Sequence, residues 1–550
     1  MAQGASTNAR GLAVIVAGVL GVAGASLGFG SLDAADSAAR ADHADVASSG
    51  RAAASGCHLH NRTGRAERDV GAAQPLASSA SGPGPISHLT IEPGRPGPEI
   101  SNRFLGLSLE YGAVIPYAGS SPDAINPVFV QLIRNISPGR APSIRIGGDS
   151  TDWAWWPVAH MRQPPGVSYS ITEPWVQVTK SLTAILGARL ILGIDLEANN
   201  RRLAAVEARA LSERIGTGSI AALELGNEPE LYRSWGWYCS RSGREITGRP
   251  RSYGFQAFKV NFSAFANVLP WGPLAGPSIG IPTWLPHLSE FLAAEPRLGM
   301  VTLHRYPLQN YLPPSSPKSP SVSHLLSETS SQGLAAAIAP FVRVAHHHHL
   351  PLRVDELNNI SAGQAPGVAD AFASALWVID ALFEMANVGV DGVNIHTFPG
   401  AAYELFRFSQ SGGRWQGFVA PEYYGLLMFA RAAPPGSRLV ALRGAHPSAI
   451  RAWATRGPGR TVRAVLINDG NAQARVALTA PGDDPMATLQ LLQASSLTAV
   501  QGVTLGGQSF GGKTATGRLA GRSTVAFVKA AAHAFSVDLP AASAGLLTIP

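Results

Sequence analysis

The chain has 550 residues, of which 45% are hydrophobic and 14% charged, and its formal charge is +7. That composition supplies a large apolar core and excludes a chain that is disordered throughout. Its Lys and Arg residues are scattered rather than gathered into a stripe, which argues against a nucleic-acid partner and leaves an anionic substrate open.

Two cysteines, Cys57 and Cys239, exclude a disulfide-built scaffold. Cys57 lies in a segment without apolar periodicity, so no structural disulfide is expected. Residues 1–30 carry one positive charge at Arg10 and then the run GLAVIVAGVLGVAGASLGFG. This reads as a signal peptide and a secreted or extracytoplasmic protein, or else as an N-terminal anchor of marginal length, the one route to a membrane. The bland alternative is an Ala/Gly-rich tail that targets nothing. Residues 31–85, rich in Ala, Ser, Gly and Asp, read as a linker.

The run ISHLTIEP (86–93) is expected to be the first strand of a C-terminal β-sandwich, within a segment bounded at 86–98. From 99 to 430 the chain alternates apolar runs with helical stretches. Candidate strands are 104–112, 142–148, 188–196, 220–228, 299–307, 352–358 and 392–397. Segment 369–389 has apolar residues recurring at three and four, as an amphipathic helix does. Repeated strand-then-helix order points to a parallel sheet covered by helices, and the number of units favours a (β/α)8 barrel. After 431, short strand-like runs separated by Gly, Pro, Asn and Asp read as an all-β sandwich. The fold class is thus α/β plus β.

Barrel active sites sit at the C-terminal ends of the strands. One candidate strand ends LELGNEPELY, with Asn227 and Glu228 at its tip; another ends LRVDELNN, with Glu356 at its tip. Two carboxylates facing across a barrel mouth are what glycoside hydrolysis needs: one protonates the leaving oxygen, and the other attacks or stabilises the anomeric carbon. Asn227 is placed to meet the sugar 2-hydroxyl. A Glu at a strand end is also often a solvated loop residue, and Asn-Glu-Pro alone is a weak signal.

The segments LELGNEPELY and LRVDELNNISAGQAPGVADAFASALWVIDALFEMANVGVDGVNIHT resemble glycoside hydrolase family 79, which holds β-glucuronidases and heparanases. FLGLSLEYG, SIRIGGDSTDWAWW, APEYYGLLMFARA and FSVDLPAASAGLLTIP extend the resemblance, in the family's order, over about 86–550. It implies a retaining enzyme that releases terminal β-linked glucuronic acid, 4-O-methylated or not, with Glu228 as acid/base and Glu356 as nucleophile. It further implies that Tyr306 donates to Glu356, and that Glu110, Asp149 and His304 belong to the substrate site. The glucuronate carboxylate would be held by backbone N–H groups at Ala362 and Gly363 and by Tyr403. The loop SAGQAPG departs from the heparanases' glycine run and points to the microbial β-glucuronidase branch.

Other readings stay open. An endo-β-glucuronidase would use the basic stretch Arg241 to Arg251. An arabinofuranosidase or xylosidase of the same clan would keep both glutamates and lack the carboxylate receptor. An inert carbohydrate-binding barrel would have lost one of them. The chemistry calls for no cofactor and no metal. The run His346 to His349 is read as loop residues that do not converge on an ion. Trp153, Trp155, Trp156, Trp235 and Trp237 are candidates for stacking on sugar rings, and the long insertion 232–252 is expected to shape the leaving-group side.

Overall fold

Apolar residues at nearly every position of a short strand fit a strand buried on both faces, and eight such strands form a closed parallel barrel here. The computed structural model describes residues 86–550 except Trp271, Ala362, Gly363, Asp483 and Asp484. The signal or anchor segment, the linker and Cys57 therefore lie outside the described residues, as do the two backbone donors implied at Ala362 and Gly363. In chain order the barrel strands are Leu105–Glu110, Ser143–Gly147, Arg189–Ile194, Ile220–Leu225, Leu274–Ile279, Leu298–Arg305, Leu352–Leu357 and Gly392–Thr397. Each pairs with the next, and the eighth closes on the first through Val393–Leu105 to Thr397–Leu109.

The fifth strand is absent from the sequence reading. Its segment LAGPSI carries Gly276 and Pro277, residues that weaken a strand assignment because proline cannot donate to the ladder. A hairpin of Phe406–Ser411 and Arg414–Val419 was also not anticipated. It turns at Gly412 and Gly413, both at positive φ, as a two-residue hairpin turn requires.

Two of the covering helices begin with asparagine caps. Asn126 accepts from Val128 N and Phe129 N ahead of Pro127–Ile136, and Asn200 from Arg202 N and Leu203 N ahead of Arg201–Ile215. Helix Phe372–Asn387 differs from the amphipathic expectation, since every residue from Phe372 to Ala386 is buried. It is covered on the outside by the C-terminal sheet: Phe383 stacks on Trp453 at 5.5 Å, and Trp453 Nε1 donates to Asp380 Oδ1 at 2.8 Å. A helix buried all round packs between layers.

The C-terminal sheet has ten strands and includes Ile86–Glu99, which runs parallel to Ala474–Thr479 and antiparallel to Arg438–Arg443. Met486–Gln493 also pairs with Ser543–Ile549, so the hydrogen bonding continues round the sandwich. Two further expectations change. Cys239 is disulfide-bonded, a link that needs no periodic structure around it. His346 and His347 end the helix Gln332–His347 instead of lying in a loop. His346 Nε2 meets Asp391 Oδ2 at 2.8 Å. Among the described residues no helix is long and apolar enough to cross a membrane.

Helix Pro421–Ala432 approaches Phe372–Asn387 at Gly425, where a Cβ would stand 2.3 Å from the Ala375 carbonyl oxygen. Gly425→Ala improves helix propensity but forces the two backbones apart. A net loss of about 1–2 kcal/mol is expected in denaturant unfolding, and a gain in stability would contradict this packing.

Candidate active site

The chain leaves the fourth barrel strand through Gly226, at φ 79°, and Asn227, and places Glu228 in the left-handed region at φ 48°, ψ 55°. A non-glycine residue there is strained and persists only when its surroundings fix it. Glu228 N donates to Ser278 O of the fifth strand at 2.9 Å. Asp152, 2% exposed, is a brace: its Oδ2 accepts from Asn227 N at 3.0 Å and Tyr232 Oη at 2.7 Å, and its Oδ1 from Leu196 N at 2.9 Å. The tips of the second, third and fourth strands are thereby tied through one carboxylate.

Beneath the mouth lies Arg145, in the second strand and wholly buried. Its Nε donates to Glu224 Oε2 at 2.6 Å, Nη1 to Glu356 Oε2 at 2.5 Å, and Nη2 to Asn227 Oδ1 at 2.9 Å. Nη2 also lies 3.2 Å from His304 Nε2, and Nε 3.3 Å from Asp355 Oδ2. Burial and the neighbouring Glu224 push Asp355 well above the usual carboxylate range. Glu224, in spite of its burial, is held below that range by Arg145. Within the Glu224–Asp355 pair the two pKa values are thus driven apart, and the one guanidinium is shared by Glu224 and Glu356.

Glu356 is the penultimate residue of the seventh strand. Burial alone would raise its pKa, but His396, His304, Arg145 and a hydrogen bond from Tyr306 outweigh burial and hold it well below the usual range. Tyr306 Oη donates to Glu356 Oε1 at 2.9 Å and stands 3.3 Å from Tyr403 Oη. Carboxylate oxygens of Glu356 and Glu228 and a ring nitrogen of His304 all lie within 4.8 Å of one another, as do the corresponding atoms of Glu224, His304 and Asp355. Arg145 is bonded into both groups, so a fixed cation already faces each of them.

A cavity of about 100 Å³ opens over these groups, lined by Glu110, Asp149, Glu228, Tyr306, Glu356, His396 and Tyr403 among others. Glu110 accepts from Asp149 N at 3.2 Å and Ser150 N at 2.8 Å, and its Oε1 lies 3.4 Å from His396 Nε2. The structure therefore gathers Glu110, Asp149, Glu228, Tyr306, Glu356 and Tyr403 into one space.

Two residues implied for the substrate site do not line this cavity. His304 is fully buried below the cavity. Because arginine can only donate, Nε2 accepts from Arg145, and the proton of a neutral ring sits on Nδ1, 3.1 Å from Glu228 Oε1. Asn227 gives its Oδ1 to Arg145 and lines a second cavity of about 330 Å³ that shares Asp149, Glu228, Leu231 and Trp235 with the first. The sequence reading missed Arg145, Asp152 and His396. An arginine in the apolar run SIRIG was the available signal for the first; the other two carried none.

No protein-family model matches the chain. A β-glucuronidase of Neurospora crassa is 22% identical over 393 residues, an alignment spanning 64% of this chain and 66%, just under two thirds, of that relative. The solved 4-O-α-L-rhamnosyl-β-D-glucuronidase of Fusarium oxysporum 12S superposes with a TM-score of 0.59 at 17% identity, covering 84% of this chain and all (100%) of that one. The GH51 arabinofuranosidase of Xanthomonas axonopodis pv. citri gives 0.59 at 14% identity with the same coverage, 84% and 100%. The solved structures share with this chain a TIM barrel followed by a C-terminal β domain. The curated relative also agrees with the resemblance to β-glucuronidases carried by the sequence.

Arg145→Met keeps the volume and removes the charge. It leaves Glu224 and Glu356 buried without the cation they share, a loss of about 3–5 kcal/mol in urea unfolding. A change under about 1 kcal/mol would contradict the charge balance described above.

Proposed function

We propose that this protein is a retaining β-glucuronidase in which Glu356 is the nucleophile and Glu228 the acid/base. The observation that carries the reading is the pair of strand-tip glutamates with oxygens within 4.8 Å, one of them held ionised. Retaining glycosidases set their carboxyl groups about 5–5.5 Å apart, whereas inverting ones leave room for a water. Glu356 attacks the anomeric carbon while Glu228 gives its proton to the glycosidic oxygen. Glu228 then takes a proton from the water that releases the sugar from Glu356. His304 Nδ1–H, aimed at Glu228 Oε1, leaves the other Glu228 oxygen to carry the transferred proton.

Glu110, Asp149 and His396 are the groups for the sugar hydroxyls, with Asn227 Nδ2 reaching from the strand tip. Tyr403, beside Tyr306, together with the backbone at Ala362 and Gly363, is the receptor for the glucuronate carboxylate. Release of a terminal sugar, rather than internal cleavage, is supported by Arg249. Its guanidinium turns inward to Glu197 O and Leu196 O, both at 2.6 Å, so the basic stretch Arg241 to Arg251 loses a cation to the interior. The signal-like residues 1–30 support action outside the cytoplasm.

p-Nitrophenyl β-D-glucuronide is expected to be hydrolysed in preference to the β-D-glucoside and the α-L-arabinofuranoside. Glu356→Ala should lower kcat by about 10⁴-fold or more, and proton NMR should show β-glucuronic acid as the first product. Activity confined to the arabinofuranoside would transfer the reading to the arabinofuranosidases, whose fold is equally near.

The pH profile gives a second check. Glu356 must be ionised to attack, and its pKa is depressed, so the acid limb of kcat/KM should fall below about pH 4. Tyr306→Phe removes a donor that favours the charged form, so the limb should move to higher pH. An unmoved limb would show that Tyr306 does not hold Glu356 ionised.

A further inference from the structure

Resting on the glucuronidase reading, we propose that Trp235 and Tyr311 form the subsite for the leaving group, and that this subsite takes a planar, uncharged one. The active-site cavity has two ends. At one, Glu356, Tyr306 and Tyr403 are linked by hydrogen-bond distances. At the other, Glu228 shares the wall with Trp235, Ile281 and Tyr311. The acid/base must reach the glycosidic oxygen, so the group attached to that oxygen extends from Glu228 away from Glu356 and towards the two aromatic rings.

Trp235 comes from the insertion after the fourth strand and Tyr311 from the loop after the sixth. Their ring centroids are 6.4 Å apart at an interplanar angle of 73°, so together they offer a face and an edge. Tyr311 is 37% exposed at the mouth, and its hydroxyl is turned aside to Gln309 Oε1 at 2.8 Å.

Charge completes the argument. Among the described residues, no Lys or Arg lines this cavity or the adjoining one behind Trp235, although the whole chain carries +7. Carboxylates do line the second cavity, Asp149 and Glu245 among them. A sulfated or uronate-bearing leaving group would meet like charge and no countercharge there, at distances where screening is incomplete. Stacking on a flat neutral ring meets no such opposition.

The test compares kcat/KM of the full chain on 4-methylumbelliferyl β-D-glucuronide, the same glucuronide bearing a sulfonate on the coumarin ring, and β-D-glucuronyl fluoride, which has no ring. The sulfonate is expected to lower kcat/KM at least tenfold, and Ile281→Lys to narrow that gap. Tyr311→Ala should lower the umbelliferyl-to-fluoride ratio at least tenfold. Equal cleavage of plain and sulfonated substrates, with an unmoved ratio in Tyr311→Ala, would overturn this inference and leave the glucuronidase reading standing. Cleavage of none of the three would overturn both.

Discussion

One guanidinium at the floor of the barrel mouth governs the arrangement above it. Arg145 has no exposed surface and bonds to side chains from the fourth and seventh strands and to the residue before Glu228. A charge without water is tolerable only when paired and hydrogen-bonded, so any shift of these strands would break a bond that nothing else replaces. The same cation holds the pKa of Glu224 down and adds to His396 and His304 in lowering that of Glu356, while burial and Glu224 push Asp355 up. Charge balance and strand register are therefore one constraint.

From that floor the two glutamates receive unequal surroundings. Glu356 accepts from Arg145 and Tyr306 on its two oxygens, which fixes both its ionisation and its aim. Glu228 is itself in the left-handed region, with His304 Nδ1 beside one oxygen and the cavity at its side. Asp152 carries the strain by tying Asn227 N to the neighbouring loops. Two chemically identical side chains, one bound into a cationic frame and one not, are what a nucleophile and a proton donor require.

Much of this was legible in the sequence because barrel strands leave compact apolar runs ending in polar residues. LELGNE and LRVDEL put a glutamate at the tip of two such runs, and the family resemblance supplied the roles proposed for them. LAGPSI failed to register because Pro277 and Gly276 hide its strand character, although the parallel ladder accepts them. His304 was implied for the substrate site as part of a strand tip, but it lies inside the sixth strand and is fully buried, whereas Tyr306 stands just past the strand's end and lines the cavity. Arg145 and Asp152 escaped because their importance lies in partners 79 to 211 and 44 to 80 residues away, which no local pattern records. The helix 372–387 looked amphipathic because periodicity cannot show that a second layer covers its outer face.

The central claim is that Glu356 forms a covalent bond to the sugar. Incubation with 2-deoxy-2-fluoro-β-D-glucuronyl fluoride, followed by peptide mass mapping, tests it most directly. The account predicts one added fluoroglucuronyl group on the peptide containing Glu356, with time-dependent loss of activity. A label on Glu228, or rapid turnover to the α-configured product with no label, would contradict it.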